Sequence, residues 1–397
     1  MNTLKGKLVF IIVFTFIIMF LGCQTTHENT VALIWKKDLV RGINNLNTYV
    51  NGYKSGGNIY PVAKMKDSFF YLDKQGKTMF SYKTEDDNER YTVSKDYYAT
   101  YTSKHIRKKR FTGRMIQLYK NTGSPIRIRK RTMHRIKKSY PKNGILTRSY
   151  PRLSPNGKLI VMFESGGMSF MMYNNTGGEI LPFTTYGPLI TCYNFSRNTD
   201  NFVIGYVNGA VAFYNNKGRE LWSKKITAGK LRVVKSVFIS DNGEYVGVLA
   251  GLYSEELLVF NKKGRVIWHS QTGFNQRKRV CGSFSTGNAN RVIIGLPSGA
   301  LIYSNPDGEL IKRVNFSIKE EKRFFLFHAN ANKRGYTALS FSSHDKTRIF
   351  IYGPKGILRR KFYLKDRYAY VKFSDKADAL YIQGDKNILC YDFKLED

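Results

Sequence analysis

The chain has 397 residues and a formal net charge of +36, with 27 Tyr, 27 Phe and 34 Gly. The length permits two or three domains. The four cysteines, Cys23, Cys192, Cys281 and Cys390, exclude a disulfide framework. Once Cys23 is set aside for the reason below, an odd number remains, and small buried apolar roles suit them.

The N-terminus reads as a processing signal. Lys5 and Lys7 begin it, Leu8 to Gly22 is apolar except for Thr15, and Cys23 follows Gly22 directly. That run is short for a membrane-crossing helix, which needs ~20 residues. The pattern resembles a bacterial lipoprotein signal peptide, in which a small residue precedes an invariant Cys, although Phe20 stands where Leu is usual. The resemblance implies removal of residues 1–22, lipidation at Cys23 and a tether over residues 23–29. Acyl chains would then hold the protein stably on a membrane surface. Retention as an uncleaved anchor is the other reading. The expected location is exported, on the outer face of a cytoplasmic membrane or on an outer membrane.

Next comes a lone run of strand formers, Val31-Ala32-Leu33-Ile34-Trp35, and after it a repeat. Seven turns end in Gly76, Gly123, Gly177, Gly218, Gly264, Gly308 and Gly356; the step from Gly177 to Gly218 is 41 residues and that from Gly123 to Gly177 is 54. Asn or Asp stands three residues before the Gly in five of them, Lys120 and Gly353 being the exceptions. Asn or Asp can bond the backbone beyond it, and Gly accepts the left-handed conformation, so each turn predicts a hairpin with a local bulge. A second signature precedes these turns: an apolar residue, Ser, any residue, then Asn or Asp. It occurs around Ser94, Ser154, Ser196, Ser240 and Ser374, with a looser copy at Ser285. Apolar runs such as Leu159–Phe163 lie between the two signatures. Each repeat therefore supplies four strands, and strand-rich units with a period in the forties predict a β-propeller.

The C-terminus supplies three strands near residues 370–373, 379–382 and 388–393, and no fourth. The Val31–Trp35 run is expected to complete that last blade and close the ring, removing its open edges. The expectation is thus an all-β chain: a single propeller over residues 30–397, of eight four-stranded blades, with seven as the alternative. Cys192 and Cys281 fall at equivalent positions two blades apart, too distant to bond.

The charge is uneven. From Lys104 to Lys142 there are fifteen Lys or Arg and no Asp or Glu, in what would be the middle and outer strands and exit loop of the second blade. Arg107, Lys108, Lys109, Arg110, Arg127, Arg129, Lys130, Arg131, Arg135, Lys137 and Lys138 are the candidate polyanion-binding residues. Such a concentration draws in polyanions in a salt-dependent way, and the Arg fork suits phosphate. An envelope protein, or an anionic polymer or lipid surface, is the expected partner; the export signal argues against nucleic acid. A solvated strand whose charges discourage edge pairing is the competing reading.

No His pair has metal-ligand spacing, and no Gly-x-Ser-x-Gly or phosphate loop is present. No metal, cofactor or catalytic residue is expected. The pattern Asn-x-x-Gly-x-x-x-Trp at Asn215–Trp222 and Asn261–Trp268 resembles the quinoprotein-type (PQQ-like) propeller repeat. The resemblance implies that Trp222, Trp268 and Trp35 pack between blades and lock them, with Phe80 and Leu181 as substitutes. Arg127, Lys312 and Arg360 depart from the pattern, and the adjacent cysteines and calcium site of the quinone enzymes are not matched. The Ser turns also resemble WD40-like repeats. A lipid-anchored propeller of this repeat type is similar to the scaffold lipoproteins of the outer-membrane β-barrel assembly machine, which bind a partner through loops on one face. Two function classes stand. One is a non-catalytic scaffold, as a monomer or within a hetero-complex; the other is an envelope carbohydrate- or wall-polymer-acting enzyme with its site at the central channel.

Overall fold

In a computed structural model the described residues are 33–38, 51–120 and 144–392, with short breaks at 56–57, 65–67, 73–74, 76, 84–88, 94–96, 103–105, 109–110, 148–149, 164–166, 183–186, 227–232, 252–254, 273–281, 285–289, 297–298, 316–323, 344, 375–377 and 385–386. Among them every regular element is a strand, and the strands form eight antiparallel sheets.

The first sheet is β2 (Asn51–Ser55), β3 (Asn58–Lys64), β4 (Ser68–Leu72) and β5 (Thr78–Lys83). The second contains β6 (Glu89–Val93), β7 (Tyr97–Thr102), β8 (Ile106–Lys108), β9 (Phe111–Lys120) and β10 (Gly144–Thr147). The third runs through β11 (Tyr150–Leu153), β12 (Leu159–Phe163), β13 (Phe170–Asn174) and β14 (Glu179–Leu181). In the fourth come β15 (Ile190–Phe195), β16 (Phe202–Tyr206), β17 (Ala210–Tyr214) and β18 (Glu220–Lys225). The fifth comprises β19 (Val234–Ile239), β20 (Tyr245–Ala250), β21 (Glu256–Asn261) and β22 (Val266–Gln271). The sixth has β23 (Gly282–Phe284), β24 (Arg291–Leu296), β25 (Gly299–Ser304) and β26 (Leu310–Asn315). The seventh holds β27 (Phe325–Ala331), β28 (Thr337–Ser342), β29 (Thr347–Tyr352) and β30 (Leu358–Leu364). The eighth joins β31 (Tyr370–Phe373), β32 (Ala379–Gln383) and β33 (Asn387–Asp392) to β1 (Leu33–Asp38), which pairs with β33 so that Trp35 faces Cys390.

The repeated turns form as their residues require. Ser154, Ser196 and Ser240 accept, through Oγ, the amide five residues on, at 3.0, 2.8 and 2.9 Å, which closes the hairpin after each inner strand. Asn174, Asn215 and Asn261 each take two later amides on Oδ1, at 2.7–3.0 Å. The described turn glycines Gly177, Gly218, Gly264, Gly308 and Gly356 have φ between 73 and 77°. The register shifts by one residue beside these turns, for example between Val259 and Phe260, which is the expected bulge.

Two features depart from the expectation. The second sheet has five strands, because β9 runs on past β7 and pairs its first residues with β8 in a tight hairpin. Its outer strand is β10, placed by Gly144 opposite Gln117, whereas the sequence pattern put that strand at Arg127–Arg131. The turn at Gly308 also differs. Its amide bonds to the Ser304 carbonyl rather than to that of Asn305.

Period-two alternation gives each inner sheet two apolar faces. Phe202 and Ile204 face the third sheet, where they meet Phe170 and Met172, while Val203 faces the fifth and meets Val246 and Val248. Similar clusters join every neighbouring pair from the first sheet to the eighth. One end of this stack gathers the Ser and Asn-Gly turns; it is stitched by bonds such as Asn156 N to Asp200 Oδ1 at 2.9 Å. The other end gathers the middle hairpins and the connectors from sheet to sheet.

Candidate binding surface

The connector end is where this chain departs from its own repeat. Strands, hairpins and connectors converge there without a shared turn motif, so side chains at that end are not dictated by closing a turn. In the fourth sheet, Leu189 precedes β15 and Val207 lies in the β16–β17 turn; the Val207 amide donates to the Leu189 carbonyl at 2.9 Å. The amide of Ile190 donates to Gly167 of the third sheet at 2.8 Å, and Gly187 donates to Met168 at 3.1 Å. Met168, Leu189 and Val207 are thereby tied together across the seam, and all three are exposed.

A second group lies where the seventh sheet meets the eighth. Phe325, at the start of β27, is 45% exposed. Its ring meets Phe327 edge-on at 6.5 Å, and Phe327 packs against Tyr368 and Tyr370, each at 4.8 Å. The Arg367 guanidinium lies over the Tyr368 ring at 5.1 Å, and that of Arg348 over Phe324 at 4.4 Å. Lys346 in the β28–β29 turn and Lys365 in the connector are exposed at the same end. Sequence reading missed this group because its members come from three separate segments. The signal that was available is the aromatic run Phe324-Phe325-Leu326-Phe327 together with Arg367-Tyr368 in the connector.

Deeper in the same seam, His328 Nδ1 accepts the Val371 amide at 3.4 Å, and its ring meets Tyr370 at 5.3 Å. It lies deep among protein atoms while keeping part of its own surface open. Burial, and then the Lys372 charge, pull its pKa from 6.5 down to about 4, against the Val371 bond. The folded state therefore holds a neutral imidazole that the unfolded chain would protonate near pH 6.5. Stability is full above that pH and falls as pH drops from about 6.5 to about 4. The loss is on the order of 2 kcal/mol once the partial exposure is allowed for. Denaturant titrations of wild type and His328→Gln across pH 4.5–7.5 check this: the variant should lack that part of the slope, and parallel slopes would rule it out.

The predicted basic residues separate. Arg107 and Lys108 sit on β8, in the hairpin that carries the second sheet past β7 at the connector end. Lys109, Arg110, Arg127, Arg129, Lys130, Arg131, Arg135, Lys137 and Lys138 lie outside the described residues. β9 ends and β10 begins at the turn end. Cys23 and the side chain of Trp35 also lie outside the described residues. Cys192 is half-buried and Cys390 buried, and neither is in a disulfide. Among the described residues no three His, Cys, Asp or Glu side chains gather as metal ligands would.

Trp222 and Trp268 each lie at a seam between two sheets. Trp222 is buried between Phe213 of its own sheet and Phe260 of the next, at 5.5 and 5.3 Å. A methyl group built on Gly264 would lie 2.9 Å from Trp222 Cγ, and one on Gly308 would lie 2.8 Å from Trp268 Cδ2. At these two turns glycine is demanded twice, by the left-handed backbone and by the indole seated on it. Phe80 reaches Tyr98 of the second sheet at 5.9 Å. In the third sheet, however, Ile180 rather than Leu181 rests on the next glycine, Gly218. At the sixth, Ile311 Cγ2 and Lys312 Cβ would both lie 3.2 Å from a methyl group built on Gly356, so two aliphatic groups take the aromatic's place.

A stack of four-stranded antiparallel sheets with these seams defines a β-propeller. A family model described as beta-propeller protein matches residues 149–293. Among solved structures the chain is similar to BamB from Moraxella catarrhalis, with 13% identity, a TM-score of 0.56, and coverage of 92% of this chain and 100% of that one. It is likewise similar to the C-terminal WD40 domain of Sif2, at 11% identity and TM-score 0.57, covering 92% and 99%. Sqt1 from Chaetomium thermophilum follows at 12% identity and TM-score 0.51, covering 77% and 81%. At these identities the likeness is one of fold. No curated protein matches the chain in sequence.

Proposed function

We propose that this chain is a non-catalytic binding platform of a bacterial cell envelope. Residues 30–397 form one propeller in which the eight sheets are eight blades and β1 against β33 closes the ring. Cys23 carries the lipid anchor, residues 24–29 form the tether, and the connector end takes a protein or polyanionic partner. The observation that carries this reading is the β8–β9 hairpin: it places positions 107 and 108 at the connector end, where Lys346, Lys365 and Arg367 stand exposed. Positive charge gathered at one end steers anionic partners and does so in a salt-dependent way.

Co-purification tests it. The full chain, tagged at its C-terminus, is expected to retain envelope material at low salt and release it at high salt. A variant with Arg107, Lys108, Lys109, Arg110, Arg127, Arg129, Lys130 and Arg131 changed to Gln should lose it at both. A Cys23→Ser version should leave the membrane fraction. Equal retention by the Gln variant would remove the basic segment from the function.

A further inference from the structure

The outer strands of four consecutive sheets carry exposed aliphatic groups at the turn end. They are Leu221 in β18, Val266 and Ile267 in β22, Leu310 in β26, and Ile357 and Leu358 where β30 begins, each between 37 and 54% exposed. We infer that this turn-end belt rests on an anionic membrane surface, with its aliphatic groups among the lipid carbonyls and its cations on the headgroup phosphates. This rests on the anchored reading above and adds the face that the propeller turns to the bilayer.

Contacts across the seams make the belt continuous. A methyl group on Gly264 would meet Trp222, one on Gly308 would meet Trp268, and one on Gly356 would meet Ile311. The exposed groups flank these seam positions in sequence: Leu221 beside Trp222, Val266 and Ile267 between Gly264 and Trp268, Leu310 between Gly308 and Ile311, and Ile357 and Leu358 after Gly356. Packing between sheets does not need them. The buried Trp222 and Trp268 fill their seams while the flanking aliphatic groups stay in solvent, where such a row marks a contact surface. The β30 end of the belt adjoins the strand that opens the described chain. Phe362 of β30 packs on Tyr391 at 5.1 Å, and Tyr391 pairs with Leu33. Asp392, next to Tyr391, stands opposite Ala379, whose amide donates to Ser374 Oγ in the last Ser turn. β1 therefore begins at the turn end. Cys23 precedes Leu33 by ten residues, which span at most ~35 Å. An anchor at Cys23 thus holds this end near the bilayer and leaves the connector end to the aqueous side.

The charge along the belt sets the kind of surface. Lys217 and Arg219 flank Gly218, Lys263 and Arg265 flank Gly264, Lys355 and Arg359 bracket Gly356, and all six are exposed. Of the acids along it, Glu220 accepts the Tyr214 hydroxyl at 3.3 Å, Glu244 holds Lys262 at 3.0 Å, Asp307 accepts the Ser304 hydroxyl at 3.4 Å, and Glu309 is exposed. Aliphatic groups beside long cations suit an anionic bilayer twice over, by apolar burial and by attraction to the headgroups. The flexible Lys and Arg stems let their charges reach the phosphates while the aliphatic groups sit deeper. A polyphosphate or wall polymer offers nothing apolar to the belt. A second copy of the chain, at +36, would be repelled. A protein partner would have to match side chains stepped across three seams, whereas a fluid surface needs no preformed shape.

The test is photolabelling of the full chain, reconstituted in phosphatidylglycerol vesicles that carry a phospholipid with a diazirine near its carbonyl carbon. Labelled peptides are mapped by mass spectrometry. Label should concentrate at residues 266–267 and 357–358 and be absent from Met168, Leu189 and Phe325 at the connector end. It should fall about tenfold in phosphatidylcholine vesicles, whose surface has no net charge to hold the cations. A Val266→Ser, Ile357→Ser variant should lose most of the label at the neighbouring Ile267 and Leu358. An unchanged urea midpoint shows that this variant is folded. Label spread evenly over both ends, unchanged in phosphatidylcholine, or indifferent to the Ser changes would overturn the belt contact. So would a chain that stays with the vesicles unlabelled, an outcome in which the anchor stands. A sedimentation coefficient that then rises with concentration would give the belt to a second copy. If the chain does not stay with the vesicles at all, both fail.

Discussion

Replacing Trp268 by alanine is expected to lower the unfolding free energy by about 3–5 kcal/mol, and Trp222→Ala by a similar amount. Both indoles are buried at a seam between sheets, so truncation opens a cavity that touches two blades at once. The phenylalanine variants should separate the two sites. Trp268 donates from Nε1 to the buried Asn305 Oδ1 at 3.0 Å and packs on Tyr303 at 5.6 Å. Trp222 Nε1 is buried without a hydrogen-bond partner. Trp268→Phe therefore takes the indole donor from a buried acceptor, which costs about 1–3 kcal/mol beyond the change in packing, whereas Trp222→Phe removes an N–H that was already unsatisfied. Urea unfolding midpoints at unchanged m would show it: the Trp268→Phe shift should clearly exceed the Trp222→Phe shift. Equal shifts would mean that the Asn305 bond contributes nothing.

That contrast also marks what local sequence can and cannot convey. The turns were readable because their chemistry lies within six residues: Ser240 meets the Tyr245 amide, and Asn261 meets those of Lys263 and Arg265. Asn305 fits the same spacing, yet it turns to an indole in the neighbouring sheet. Nothing within its own turn could have revealed that, because the competing partner lies thirty-seven residues away. The outer strand of the second sheet was misplaced for a related reason. Arg127-Ile128-Arg129 alternates as a strand should, but pairing is decided by register against β9, which selects Gly144–Thr147. Ile180 in place of Leu181 is a one-residue difference in which side chain meets the next sheet's glycine, and alternation alone leaves that open. The Phe325–Arg367 group could not be assembled from the sequence because its inner strand, hairpin and connector share no motif, although its aromatic run Phe324-Phe325-Leu326-Phe327 is visible there.

The connector end of the fifth sheet holds the other large expected effect. Glu255 has no exposed side-chain surface and its Oε1 lies 3.1 Å from Lys235 Nζ, which is 9% exposed. Its Oε2 accepts the Thr272 hydroxyl at 2.9 Å, and its backbone carbonyl accepts the Thr272 amide at 3.1 Å. The group thus ties the inner strand β19, the start of β21 and the end of β22 into one corner. Changing Glu255 alone to leucine leaves an ammonium buried without its counter-charge, at a cost of about 3–5 kcal/mol. Adding Lys235→Met removes that charge as well. The double variant should recover most of the loss and approach or exceed wild-type stability, because an apolar pair of similar volume avoids the desolvation of two ions. The Thr272 hydroxyl keeps an acceptor in either case, since the Glu255 carbonyl lies 3.4 Å from it. High salt should barely change these differences, as a buried pair is weakly screened. A double variant no more stable than Glu255→Leu alone would show that the corner depends on the ion pair itself rather than on keeping a lone charge from being buried.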